Sequence, residues 1–95
     1  MSKRERAATL IKEILEEVTG GLEADEDYDL GELEMGFEDL LACTQAAFGL
    51  PDDWTGNGEK VNDSLGVFIE HVSSLWDGIT LNEEWRSASE LLGGG

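Results

Sequence analysis

Bases are scarce in this chain. It has six Lys and Arg against 22 Asp and Glu, for a formal net charge of −16 over 95 residues. Between residues 13 and 59 there is no base at all, while fifteen acids fall in that stretch. Such a field repels nucleic acid and anionic membranes and attracts basic protein surfaces. The expected partner is therefore a basic protein surface, with no direct nucleic-acid and no membrane partner. Cysteine is almost absent. Cys43 stands alone, so no internal disulfide can form, and a reducing, cytoplasmic setting is the expectation. No apolar run approaches the ~20 residues that span a bilayer, and the first six residues lack the apolar stretch of a secretion signal. Histidine is equally rare. A lone His71, one Cys and no phosphate-binding glycine loop leave little from which to build an active site, so no enzyme is expected.

What is present is helical punctuation. Ser2 with Glu5 forms a capping-box pattern, and Ala7, Leu10, Ile11, Ile14, Leu15 and Val18 recur at helical spacing until Gly20 and Gly21 stop them. Residues 21–33 read as a long acidic loop, because its run of acids repels itself in a helix. A second helix is expected over 34–48, ended by Gly49 and Pro51. Residues 52–59 hold turn formers. Val61, Leu65, Phe68, Ile69, Val72, Leu75 and Trp76 mark the face of a third helix, closed by Gly78. Thr80 with Glu83 suggests a second capping box, opening a short last helix through Leu81, Trp85, Ala88, Leu91 and Leu92. No strand pattern appears. The expected fold is all-α, a small bundle of four helices in one domain over 1–92, with a flexible glycine tail at 93–95.

Metal-loop spacings occur twice and fail twice. Asp25, Asp27 and Asp29 fit the first three ligand positions of a calcium loop, but Leu30 replaces the required glycine and Gly36 the final carboxylate. Asp53, Thr55, Asn57 and Gly58 start a second loop whose closing position is Ser64. No metal site is expected. Trp54, flanked by Asp52 and Asp53, is either packing over the bundle end or a half-exposed interface anchor. His71 falls off the third helix's apolar face and reads as a surface or rim residue.

Several segments, taken in order, carry a family likeness. They are Asp29-Leu30-Gly31, then Phe48-Gly49-Leu50-Pro51-Asp52-Asp53, then Glu59-Lys60-Val61 with the apolar helix after it. Over residues 4–73 the chain resembles an acyl carrier protein. That resemblance implies a helical bundle whose second helix docks on basic patches of partner enzymes. It also implies a carrier Asp-Ser-Leu, whose serine takes phosphopantetheine. On this register the motif falls on Leu33-Glu34-Met35, and a glutamate cannot bear the phosphate ester. The shape is kept and the chemistry is lost. What the resemblance then leaves is an acidic docking face of Glu32, Glu34, Glu38 and Asp39, joined by Asp52, Asp53 and Trp54. A competing register uses the literal Asp63-Ser64-Leu65, with Ser64 as the phosphopantetheine attachment point. Against it stands the simpler reading of Asp63 or Ser64 as a helix cap. No cofactor is expected unless Ser64 is that carrier serine.

Three functions follow in order. The first is a non-enzymatic, carrier-protein-like module that docks on a basic partner as adaptor or inhibitor. The second is a nucleic-acid-mimicking inhibitor of a DNA-binding or phage-defence enzyme, of anti-restriction or anti-CRISPR type. Duplex DNA carries one charge per ~1.7 Å of axis, a density that helix-borne carboxylates approach. The third is a true acyl or peptidyl carrier modified on Ser64.

Overall fold

The computed structural model describes residues 2–33, 36–56 and 61–85. Among them the chain is all-α. Three helices, α1 (Lys3–Thr19), α2 (Phe37–Phe48) and α3 (Leu65–Leu75), are joined by long connections, and one 3₁₀ turn spans Leu30–Glu32. Both α2 and α3 pack on α1.

α1 and α3 begin where a side-chain oxygen caps the donor-rich end, and α2 begins at a glycine without such a cap. Ser2 caps α1 by accepting the Glu5 amide at 3.2 Å. Gly20, left-handed at φ +80°, ends it with its N–H on the Glu16 carbonyl. α2 starts three residues later than the sequence pattern suggests. Its N-cap is Gly36 at φ +84°, whose carbonyl takes the Leu40 amide at 2.8 Å. α3 likewise starts at Leu65 and not near Val61. Ser64 is its N-cap, accepting the Val67 amide at 3.3 Å.

The core is drawn from all three helices. Ile11, Ile14 and Leu15 of α1 meet Leu40, Ala47 and Phe48 of α2 and Phe68, Ile69 and Val72 of α3, all buried. Aromatic rings seal the ends. Trp76 packs edge-on against Phe48 at 4.9 Å between ring centres, and Trp54 against Phe68 at 5.8 Å. Leu30, Leu50, Val61 and Trp85 are also buried, so the connections contribute to the core as the helices do. No described helix is long and apolar enough to cross a membrane.

The acidic loop is pinned. Its Glu26 and Tyr28 carbonyls accept the Gly66 and Leu65 amides at 2.9 and 2.8 Å, and the Leu30 amide donates to the Asp63 carbonyl at 3.0 Å. These contacts give a single antiparallel bridge between Asp29 and Ser64, with no strand among the described residues. The loop backbone thus satisfies the first orphan amides of α3. Arg4 ties the same loop down from α1, bonding Glu26 and lying 3.5 Å from Glu70 on α3. The Arg4 hydrogen bond holds the Glu26 carboxyl below its ordinary range.

The four-helix expectation is not met among the described residues. Thr80 caps nothing. Its hydroxyl donates to Asp77 Oδ2 at 2.6 Å, and its carbonyl takes the Trp76 indole N–H at 2.6 Å. Residues 77–84 form turns and extended chain. The rest of the expected last helix and the glycine tail lie outside the described residues, as do Asn57 and Gly58 of the second metal-like loop.

Asp77 organises that turn. The Thr80 hydroxyl, the Thr80 amide and the Ile79 amide all donate to it and lower its pKa from 3.8 to about 2. A depressed carboxyl stabilises the fold above its unfolded pKa and loses that contribution as pH falls through the folded one. The stability gap between wild type and Asp77→Asn is therefore expected to hold at neutral pH, shrink from about pH 4 and close near pH 2. Urea unfolding across that range measures it. A gap unchanged at pH 2 would assign the effect to geometry and not to charge.

Candidate docking site

The acidic side chains stay at the surface. None of the described Asp or Glu residues is buried. The bases at the start of α1 also stay at or near the surface, but their charged groups bond to the protein's own chain. Lys3 Nζ donates to the Trp76 carbonyl at 3.1 Å, and Arg6 donates to the Gly78 carbonyl at 2.9 Å with its guanidinium over the Trp76 ring. With Arg4 held by Glu26 and Glu70, three of the six bases of the whole sequence serve the protein's own fold.

α2 shows how the field is arranged. Glu38 and Asp39 occupy its first turn, where the positive end of the helix dipole favours them. Glu38 is exposed and Asp39 half-buried. Leu41, Ala42 and Gln45 stand three, four and seven residues beyond Glu38, so the four share one helix face. Leu41 and Ala42 are half-buried, giving that face an apolar middle. Gln45 closes the far end, about 10 Å along the axis from Glu38. Its amide nitrogen donates to Asp52 Oδ1 at 3.0 Å, and its oxygen accepts the Trp54 indole N–H at 3.2 Å. The face therefore carries acids at both ends: Glu38 and Asp39 at the start, exposed Asp52 and Asp53 beyond the finish.

The remaining expected residues fall as follows. Glu32 is exposed in the 3₁₀ turn that precedes α2. Glu34, on which the carrier-serine position falls, lies outside the described residues. Trp54 is only 3% exposed, so of its two readings packing holds, and its place as a half-exposed anchor in the docking face is corrected. It packs on Phe68, its ring stacks on His71, and its carbonyl accepts from His71 Nε2 at 2.6 Å. Its acidic neighbours point outward while the indole turns in, since Phe68 and Gln45 offer it both contact and an acceptor. Ser64 and Asp63 are engaged locally. Ser64 Oγ serves as the α3 cap, and Asp63 Oδ1 accepts the Ser64 amide at 2.6 Å. Two of the calcium-spaced acids are occupied in the same way, Asp25 by the Asp27 amide and Asp29 by the Gly31 amide.

Gln45 is the residue that sequence reasoning missed. It joins the end of α2 to the Asp52 turn, and an uncharged amide within an otherwise apolar helical stretch was the only signal for it. Cys43 and Thr44 face the core and are fully buried. Comparison with protein-family models, with curated proteins and with solved structures finds no match for this chain.

Proposed function

We propose that the chain is a non-enzymatic docking module, carrier-protein-like in arrangement, that presents the outer face of α2 to a basic patch on a partner protein. The observation that carries this reading is the face itself. It has acids at both ends, a half-buried apolar middle, and the Gln45 bonds that hold Asp52 and Trp54 of the far turn. An apolar centre ringed by charge is how protein interfaces are commonly built, and the charged ends steer encounter. The order of elements supports the same reading, with a helix, a long acidic loop, an acid-started helix and a Leu-Pro-Asp-Asp turn in the sequence of the family it resembles. With glutamate where the carrier serine would stand, the role is adaptor or inhibitor, not acyl transfer.

The test is charge reversal. Glu38→Lys with Asp39→Lys, and separately Asp52→Lys with Asp53→Lys, are expected to weaken capture of the basic partner at least about tenfold each, or about 1.4 kcal/mol. Helical circular dichroism should be nearly unchanged, because these side chains lie outside the core. Undiminished capture by both variants would remove α2 from the proposal. Competition of the same capture by duplex DNA would favour the nucleic-acid-mimic reading instead.

A further inference from the structure

The far end of the α2 face is held by a chain of hydrogen bonds that starts on α3. His71 Nε2 donates to the Trp54 carbonyl at 2.6 Å, the Trp54 indole N–H donates to Gln45 Oε1 at 3.2 Å, and Gln45 Nε2 donates to Asp52 Oδ1 at 3.0 Å. The chain runs one way. A carbonyl only accepts, so Nε2 of His71 carries the proton. An indole nitrogen only donates, so the Gln45 oxygen faces Trp54 and its NH2 group faces Asp52. A carboxylate is the acceptor on which such a chain ends. The frame around it is set as well: the Gln45 carbonyl takes the Gly49 and Leu50 amides, and the Trp54 amide donates to the Pro51 carbonyl at 3.1 Å. Asp52 is exposed, and its Oδ2 takes no bond among the described residues. Glu38, Asp39 and Asp53, the other acids at the ends of the face, have no side-chain hydrogen bond to a described residue.

We propose that Asp52 is the anchor of the docking face, the carboxylate that receives a lysine or arginine of the partner, and that Gln45 is its positioning residue. The inference rests on the reading of α2 as the docking face and names the acid on which that face turns. One carboxylate oxygen is held by Gln45, and the other is left for an incoming cation. A side chain already held in one rotamer loses little freedom on binding, whereas neighbouring Asp53 has to be ordered by the partner. Two acids of equal charge, one residue apart, therefore contribute unequally. Trp54 acts one step further back: it touches no partner, but its indole N–H decides which way the Gln45 amide points.

The experiment titrates the full chain with a helix-patterned Leu–Lys peptide by calorimetry, with amide NMR shifts to place it on α2. Asp52→Asn is expected to weaken binding at least about fivefold, and Asp53→Asn less than about twofold. Gln45→Met keeps the length of the side chain and removes both of its bonds. It should weaken binding at least about threefold in the wild-type chain and hardly at all, less than about 1.5-fold, once Asp52→Asn is present. That coupling separates positioning from a general structural role, because a loosened fold would lower binding in both backgrounds. None of the three side chains is buried, so the variants are expected to fold. Equal losses at Asp52 and Asp53, or a Gln45→Met loss that persists without the Asp52 carboxylate, would overturn the proposal and leave the α2 reading in place. Binding that ignores Glu38→Lys with Asp39→Lys, or no binding at all, would overturn that reading and the anchor with it.

Discussion

Gly36→Ala is expected to destabilise the fold by about 3 kcal/mol, a large share of the 5–15 kcal/mol that holds a native domain together. Two effects add. The residue sits at φ +84°, where a side chain costs about 1 kcal/mol or more. A Cβ built there also meets the Val18 carbonyl oxygen at 2.8 Å, a backbone atom that cannot rotate aside. Overpacking of that kind costs about 1–3 kcal/mol. In a domain of this size each kilocalorie shifts the melting temperature by about 4–8 °C, so a fall of roughly 15 °C is expected. Gly20→Ala supplies the control. Gly20 has nearly the same φ, +80°, but nothing lies within 4 Å of its Cβ position. It should lose only the conformational part, about 1 kcal/mol. Equal losses in the two variants would show that the approach of α2 to the end of α1 is not tight. The contact also sets where Glu38 and Asp39 are presented, since both follow directly from this cap.

Thr44→Val is expected to act in the other direction, stabilising the fold by about 1–2 kcal/mol. Thr44 is fully buried on α2, and its Oγ1 has no hydrogen-bond partner among the described residues. A buried hydroxyl without a partner carries a desolvation penalty of about 1–3 kcal/mol. Valine keeps the branched shape and fills the same space, so the penalty is removed with no cavity left behind. Urea unfolding should show a higher midpoint with an unchanged slope. Thr44→Ser keeps the hydroxyl and deletes the methyl group, and is expected to be less stable than wild type. No gain in the valine variant would mean that the hydroxyl is solvated in the folded protein.

The ends of α1 were legible because side chains mark them, Ser2 at the start and the Gly20 and Gly21 pair at the finish. The start of α2 was not, since a glycine N-cap leaves no capping side chain to read and Glu34 looks like any first-turn acid. For α3 the apolar stripe holds at Leu65, Phe68, Ile69 and Val72, but Leu75 is 44% exposed, and Val61 belongs to the core through a connection and not through the helix. Thr80 failed as a cap because Asp77, three residues earlier, takes its hydroxyl and its amide. Local composition left Trp54 open between packing and a half-exposed place, and the partners that decide for packing, Gln45, Phe68 and His71, lie 9 to 17 residues away. The acids of the α2 face were read directly from the sequence. That Asp52 joins the far end of the same face needed the Gln45 bond, which only the structure shows.

The loop carbonyls that cap α3 have a consequence for exchange kinetics. Amides at the first turn of a helix ordinarily face solvent and exchange within the fraying regime. Here the Leu65 and Gly66 amides bond to Tyr28 and Glu26, so they become protected only once a segment nearly forty residues earlier has docked. Their deuterium uptake reports opening of the loop and not unwinding of the helix. The pair and the Leu30 amide should exchange together, as one cooperative unit, with rates that rise in Arg4→Ala while the centre of α3 keeps its protection.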